Sequence, residues 1–316
     1  MIKATFGAEY ELGDIDRKVV LSEGANWNFK DHSIANSTGI ANDEKAKLYT
    51  LGGEINTDPT DSIDGQLAIW NGIRNSFDRI HINHRTNLHL HMQVPGLRED
   101  LTELKRLMTY ILEHQDRIYE LVEPLSAPVR TEYNTEASYK GAVQRYKRRL
   151  ISHQNKLKPK QIAACMSAKT PEEFINGHAP KGKKGEPLWA LAVRGGINVS
   201  QLRETNTVEF RHFTPSLDAD EVESCFSWVQ AFMNAALVTG ETPDQIYASR
   251  SWKFPAFAAY DHDIDVIFKW TDLEKNSRAT VSKRLARLAE HFDIYQQPAS
   301  AMSEFVSLES DGKLAL

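Results

Sequence analysis

Three short stretches carry acids, imidazoles or a guanidinium at every second position. In "FGAEYELG" (6–13) the odd positions hold Glu9 and Glu11, while Ala4, Phe6, Ala8, Tyr10 and Leu12 fill the even ones. In "LHLHMQV" (88–94), His89, His91 and Gln93 alternate with Leu88, Leu90, Met92 and Val94. In "VEFRHF" (208–213), Glu209 and Arg211 alternate with Val208 and Phe210. Strand side chains point alternately to opposite faces, so each stretch presents one apolar face and one face able to do chemistry. A fourth segment, "LYTLGGEIN" (48–56), adds Glu54.

Singly, each pair has a plain explanation. A His-x-His pair supplies only two metal ligands, and a Glu-x-Arg pair is commonly an exposed ion pair. Together they describe a sheet with one greasy side and one polar concavity. Carboxylates with an imidazole suit Mg²⁺ or Mn²⁺ better than structural zinc. Arg211, with Arg194 and Arg203 on neighbouring segments, could meet phosphate or carboxylate oxygens bidentately. Acids for a metal and arginines for an anion on one face fit phosphoryl transfer. There is no Walker-type glycine loop, no Gly-x-Gly-x-x-Gly and no Ser-centred elbow, so a nucleotide would be held by the sheet and metals. Gly7 and Gly13 are expected where ligand or neighbouring backbone comes close.

The positioning elements follow from periodicity. Residues 14–48 read as loop with a short strand or two, and "LWALAVRGGINVSQL" and "TVEFRHF" as paired strands. Ile63, Leu67, Trp70, Ile73, Phe77 and Ile80 recur at helical spacing, with Thr60 or Asp61 placed to cap. "DLTELKRLMTYILEHQDRIYELVEP" predicts a second helix ending before Pro124, and "DADEVESCFSWVQAFMNAALVTG" a third with an acidic first turn and a stop at Gly240. A further helix is expected from about Asp272 to about His291. Between Lys140 and Pro187, twelve Lys and Arg face three Glu, a local net of +9 in a chain whose net charge is −5. This block reads as mostly helical up to "TPEEFINGHAPKGKKGEP", which reads as loop. It could be a solvated excursion or a basic flap over an anionic substrate. Arg130 and Tyr133 are candidates for the acceptor pocket. The architecture expected is a single α+β domain over 1–316, a mainly antiparallel sheet with helices on its outer face. It would carry a basic helical insertion at about 140–187 and a helical extension from about 241.

Charged residues make up 26% and hydrophobic ones 41%, the balance of a globular protein. The net charge gives no pull toward nucleic acid, and the basic block offers Tyr146 but no stacking platform. No apolar run is long enough to span a bilayer, and "MIKATFGAEYELG" is not a signal peptide. Cys165 and Cys225 stand alone and far apart, which excludes a disulfide framework and a Cys-based zinc site and fits a reducing cytoplasm.

In order and type, "FGAEYELG", "GGEIN", "LHLHMQVPG" and "NTVEFRHFTPSLDADEV" resemble the motifs of the amidoligases, carboxylate–amine ligases with a glutamine synthetase-like fold. The resemblance implies a curved antiparallel half-barrel whose concave face binds ATP and two or three divalent metals, Mg²⁺ or Mn²⁺. It implies metal ligands at Glu9, Glu11, Glu54, His89 and Glu209, with His91 nearer the nucleotide phosphates and Arg211 on the transferring phosphoryl group. The reaction implied joins a small-molecule or peptide carboxylate to an amine through an acyl phosphate. Two alternatives stay open: a guanidino-kinase-like phosphotransferase on the same fold, and a non-catalytic protein that retains the fold.

Overall fold

A computed structural model describes residues 2–13, 19–28, 53–77, 80, 82, 86–125, 127–132, 134, 136–189 and 194–255. Among the described residues six strands form one open sheet: β1 (Thr5–Leu12), β2 (Ala25–Asn28), β3 (Gly53–Thr57), β4 (Leu88–Gln93), β5 (Ile197–Asn198) and β6 (Val208–Phe213). Their order is β2-β3-β1-β4-β6-β5 and every pair is antiparallel. The strand alternation is the one expected. Ala4, Phe6, Ala8, Tyr10 and Leu12 are buried, as are Leu88, Leu90, Met92, Val208 and Phe210.

Helices cover that apolar face. From α1 (Ile63–Asn75), Trp70 stacks on Tyr10 at 4.3 Å between ring centroids. From α6 (Ala219–Asn234), Phe226 meets Phe6 edge-on at 6.3 Å and Phe232 meets Phe210 at 5.3 Å. Each fully buried large side chain of this kind stabilises by about 1.5–3 kcal/mol. The helix α2 (Leu101–Val122) stops before Pro124 as expected and touches the end of α6 through Tyr110 and Phe232, 5.2 Å apart. A π-helical turn, Ala235–Thr239, then ends at Gly240 with φ 73°, the left-handed stop anticipated, and α7 (Pro243–Ala248) follows. The helix expected at 272–291 lies outside the described residues.

Three local expectations are corrected. Of "LWALAVRGGINVSQL", Ile197–Asn198 alone is strand among the described residues, and Val199–Arg203 turns into a short 3-10 helix. The cap of α1 is Ser62, which accepts from Gly65 N at 3.1 Å, because Thr60 is drawn into a backbone pair with Phe6. The stretch expected as loop from Thr170 begins instead with a helix, α5 (Pro171–Asn176), whose Thr170 cap and Pro171 are strong start signals. It buries Phe174 and Ile175.

The basic segment is not uniformly solvated. It comprises the C-terminal part of α3 (Glu136–Ser152), then α4 (Pro159–Ser167) and α5. Arg149 of α3 turns inward, with its side chain 4% exposed, against Glu123, 2% exposed. Its Nε and Nη2 donate to Glu123 Oε2 at 3.0 and 2.6 Å, Nη1 donates to Asn87 Oδ1 at 2.7 Å, and Nη2 also reaches the His212 carbonyl at 2.9 Å. Thr214 donates to the other Glu123 oxygen. One guanidinium thus ties α3 to the end of α2, the entry to β4 and the end of β6. Both cysteines are free and buried. Among the described residues no helix is long and apolar enough to cross a membrane.

Arg149→Met should destabilise the protein by about 3–5 kcal/mol, because a buried carboxylate loses its partner. The double variant Arg149→Met/Glu123→Gln should recover much of that loss in urea unfolding. A second prediction concerns His178, fully buried, with no hydrogen-bond partner for either ring nitrogen among the described residues. Burial pushes its pKa down to about 4, so the folded state keeps it neutral while the unfolded chain takes up a proton below about 6.5. Stability is then full above pH 6.5 and falls as pH drops toward 4, by at most about 1.4 kcal/mol per pH unit. His178→Leu should flatten that slope relative to wild type between pH 6.5 and 4.5.

Candidate functional site

The opposite face of the sheet carries the functional side chains, and strand register decides which of them meet. Glu9 stands directly across from His89, His91 across from Glu209, and Glu209 across from Asn198. His89 Nδ1 lies 3.0 Å from Glu9 Oε2 and 3.6 Å from Glu209 Oε1. His91 Nε2 lies 3.2 Å from Glu9 Oε1. Arg211 donates to Glu209 Oε1, and Asn198 Nδ2 donates to Glu209 Oε2 at 2.7 Å. Ligand atoms of Glu9, His91 and Glu209 all fall within 4.8 Å of one another.

A bulge in β6 shapes this arrangement. Leu90 pairs with Phe210 but Leu88 pairs with Phe213, so two residues, Arg211 and His212, oppose the single residue His89. Arg211 keeps to the polar face beside Glu209, while Phe213 returns to the apolar face. His212 is fully buried and its pKa falls to about 3, chiefly through loss of solvent. Gly196 packs next to this turn, accepting from Arg211 N at 2.7 Å; a Cβ there would stand 2.3 Å from the His153 carbonyl.

The cluster is electrostatically self-balanced. Burial would raise the Glu9 pKa, but hydrogen bonds and charge from His89 and His91 outweigh it and hold the carboxyl far below its usual range. Burial likewise opposes ionisation of Glu209, yet Arg211, His89 and His91 bring its pKa down to about 2. For His91 burial pulls the pKa down, and the neighbouring Glu9 and Glu209 carry it above its ordinary value. Exposure is graded: the Glu209 and His89 side chains are 1% and 3% exposed, while Glu9 is 24% exposed and forms the open rim. His89 Nε2 is buried with no hydrogen-bond partner among the described residues. The two carboxylates of Glu9 and Glu209 and an imidazole nitrogen of His91 converge into a donor set that fits a hard divalent cation, with His89 turning its Nδ1 toward both carboxylates.

Glu11 and Glu54 form a second acidic pair, directly opposite each other and 7% and 5% exposed. Like charges so placed are destabilising. Asn87 donates to Glu11 and Asn28 donates to Glu54, supplying each with a polar partner. Since Asn87 also accepts from Arg149, Glu11 joins the buried network of α3.

Glu9, His89, His91, Glu209 and Arg211 are therefore brought together, with Glu11 and Glu54 alongside. Arg203 and Arg194 are not joined to them by any contact among the described residues. Arg203 pairs with Glu204 and lies over Trp189, its guanidinium carbon 4.3 Å from the ring centroid, while the exposed Arg194 lends only its carbonyl to Asn155. Arg130 is exposed and pairs with Glu136 at 2.9 Å, and Tyr133 lies outside the described residues. Gly7 faces the site beside His91, but a Cβ there would meet nothing nearer than 3.9 Å, so no neighbouring backbone requires the glycine. Sequence reasoning missed Asn198, Asn87, Asn28, Thr207 and His153, whose ring centroid lies 6.1 Å from that of His89. Asn198 and Thr207 alone had a usable signal, since they flank the Glu209 strand and its partner.

No curated protein and no solved structure matches the chain. The family model described as "Putative amidoligase enzyme" matches residues 1–233, a span containing all six strands and every member of the cluster. The chain belongs to that amidoligase family.

Proposed function

We propose that this protein is an ATP- and Mg²⁺-dependent ligase that joins a carboxylate to an amine. The observation that carries this is the convergence of Glu9, His91 and Glu209 within 4.8 Å, beside Arg211, in a chain of the amidoligase family. Glu9, Glu209 and the histidines would hold a divalent cation, with Glu11 and Glu54 completing an acidic flank. When bound, such a cation neutralises phosphate charge and orients the nucleotide. Arg211 is already fixed by Glu209 and would meet the oxygens of the transferring phosphoryl group. Arg194 and Arg203 are proposed as outer nucleotide contacts. The substrate carboxylate oxygen would attack the γ-phosphorus, releasing ADP and forming an acyl phosphate. Attack of the amine on the acyl carbon would then expel phosphate and leave the amide. The glutamine synthetase-like fold and a cytoplasmic location belong to the same reading.

ATP with Mg²⁺ should raise the melting temperature by several degrees, since ligand at 100 times its Kd adds about 2.7 kcal/mol. No shift at millimolar nucleotide would count against the site. A screen of ADP release over pools of carboxylates and amines should show turnover only when both partners are present. Release needing the amine alone, without an amide product, would mark a phosphotransferase instead. Glu209→Gln should reduce turnover to background while the circular dichroism spectrum stays that of the folded protein, with the melting temperature lowered because Arg211 loses its buried carboxylate partner.

A further inference from the structure

His91 is held on its far side by a chain of hydroxyls. Its Nδ1 lies 2.9 Å from Thr207 Oγ1, which lies 2.7 Å from Thr205 Oγ1. Thr205 Oγ1 in turn lies 3.1 Å from the Gln201 carbonyl oxygen. A carbonyl only accepts and each hydroxyl has one proton to give, so the direction of the chain is settled at its end. The Thr205 proton goes to Gln201. Thr207 then gives its proton to Thr205, because the Thr205 oxygen has none left to offer. Thr207 is left to accept from His91, so Nδ1 carries hydrogen. The backbone supports this course: Thr205 N also donates to Gln201 O at 2.9 Å. Asn206, between the two threonines, sits at φ 57°, a left-handed conformation that Asn adopts more readily than most residues.

The other ring nitrogen, Nε2, is the one 3.2 Å from Glu9 Oε1. We propose that Thr205 and Thr207 are positioning residues that keep the His91 proton on Nδ1 and so reserve Nε2 for a divalent cation beside Glu9 and Glu209. This rests on the metal-site reading above. The relay has real opposition. A neutral imidazole in water prefers its proton on Nε2, and the Glu9 carboxylate beside Nε2 pulls the same way. A lone Thr207 could turn and donate to a bare Nδ1, leaving a proton on the ligating atom. Thr205, already committed to Gln201, gives the Thr207 proton a place to go and blocks that turn.

Two measurements test this. In ¹H–¹⁵N spectra of the metal-free protein, at a pH high enough for the His91 ring to be neutral, His91 should show a slowly exchanging Nδ1 proton with a cross-peak to the Thr207 methyl and a bare Nε2. A bare Nδ1 in the wild type would overturn the relay. In Mn²⁺ calorimetry, Thr207→Val, which keeps the side-chain shape, should bind about 10- to 100-fold more weakly, the usual effect of removing a partner behind a ligating histidine. Thr205→Val should weaken binding in the same direction, and Thr207→Ser should stay close to wild type. Equal Mn²⁺ affinity for wild type and Thr207→Val would also overturn the proposal. If the wild type binds no Mn²⁺ while its Nδ1 proton is seen, the metal-site reading falls and the role of the relay falls with it.

Discussion

Glu9 and Glu209 can share one sheet face only because His89, His91 and Arg211 stand between them. Two carboxylates this close repel, and burial disfavours their ionisation further. Cross-strand register removes the conflict, placing His89 opposite Glu9 and His91 opposite Glu209. That register is set from the other side of the sheet. A slip of one residue would send Phe6, Tyr10 and Leu90 into the polar concavity and the charges into the helices. Packing of α1 and α6 on the apolar face therefore fixes the geometry of a site that neither helix touches through its own functional groups.

The bulge in β6 resolves a second conflict. After Glu209 and Arg211, strict alternation would turn Phe213 toward the carboxylates. The extra residue, His212, shifts the phase, so Phe213 is buried opposite Leu88 while Arg211 remains beside Glu209. It also turns the His212 carbonyl toward Arg149. One irregularity thus serves the site and the buried network behind it.

The parts of the fold written as alternation were readable, because burying one face of a strand forces a period of two on its sequence. β1, β4 and β6 announced themselves this way, and with them Glu9, His89, His91, Glu209 and Arg211. Arg149 was not readable. Twelve basic residues fall between 140 and 187, and composition cannot say which one finds a buried acid, since Glu123 is 26 residues away in sequence and sits at the C-terminal cap of another helix. Asn28 and Asn87 were hidden for a related reason. Asparagine is common in turns, and only the paired strand reveals that these two amides donate to buried carboxylates. Arg194 and Arg203 were grouped with the site by nearness in sequence, whereas Trp189 and Glu204 engage Arg203.

Glu9 and Glu11 look alike in the sequence, two acids on one strand face, but the structure separates them. Glu11 faces Glu54 and is tied through Asn87 to Arg149, hence to α2, α3 and β6. Moving it would disturb a network buried on several sides. Glu9 is held by two imidazoles and keeps 24% of its side chain in solvent. A cation arriving at Glu9 can settle beside its carboxylate without breaking any contact that supports the fold. The strand thus carries one anchored acid and one acid free to exchange partners, which is the asymmetry a site needs if binding is not to unfold what surrounds it.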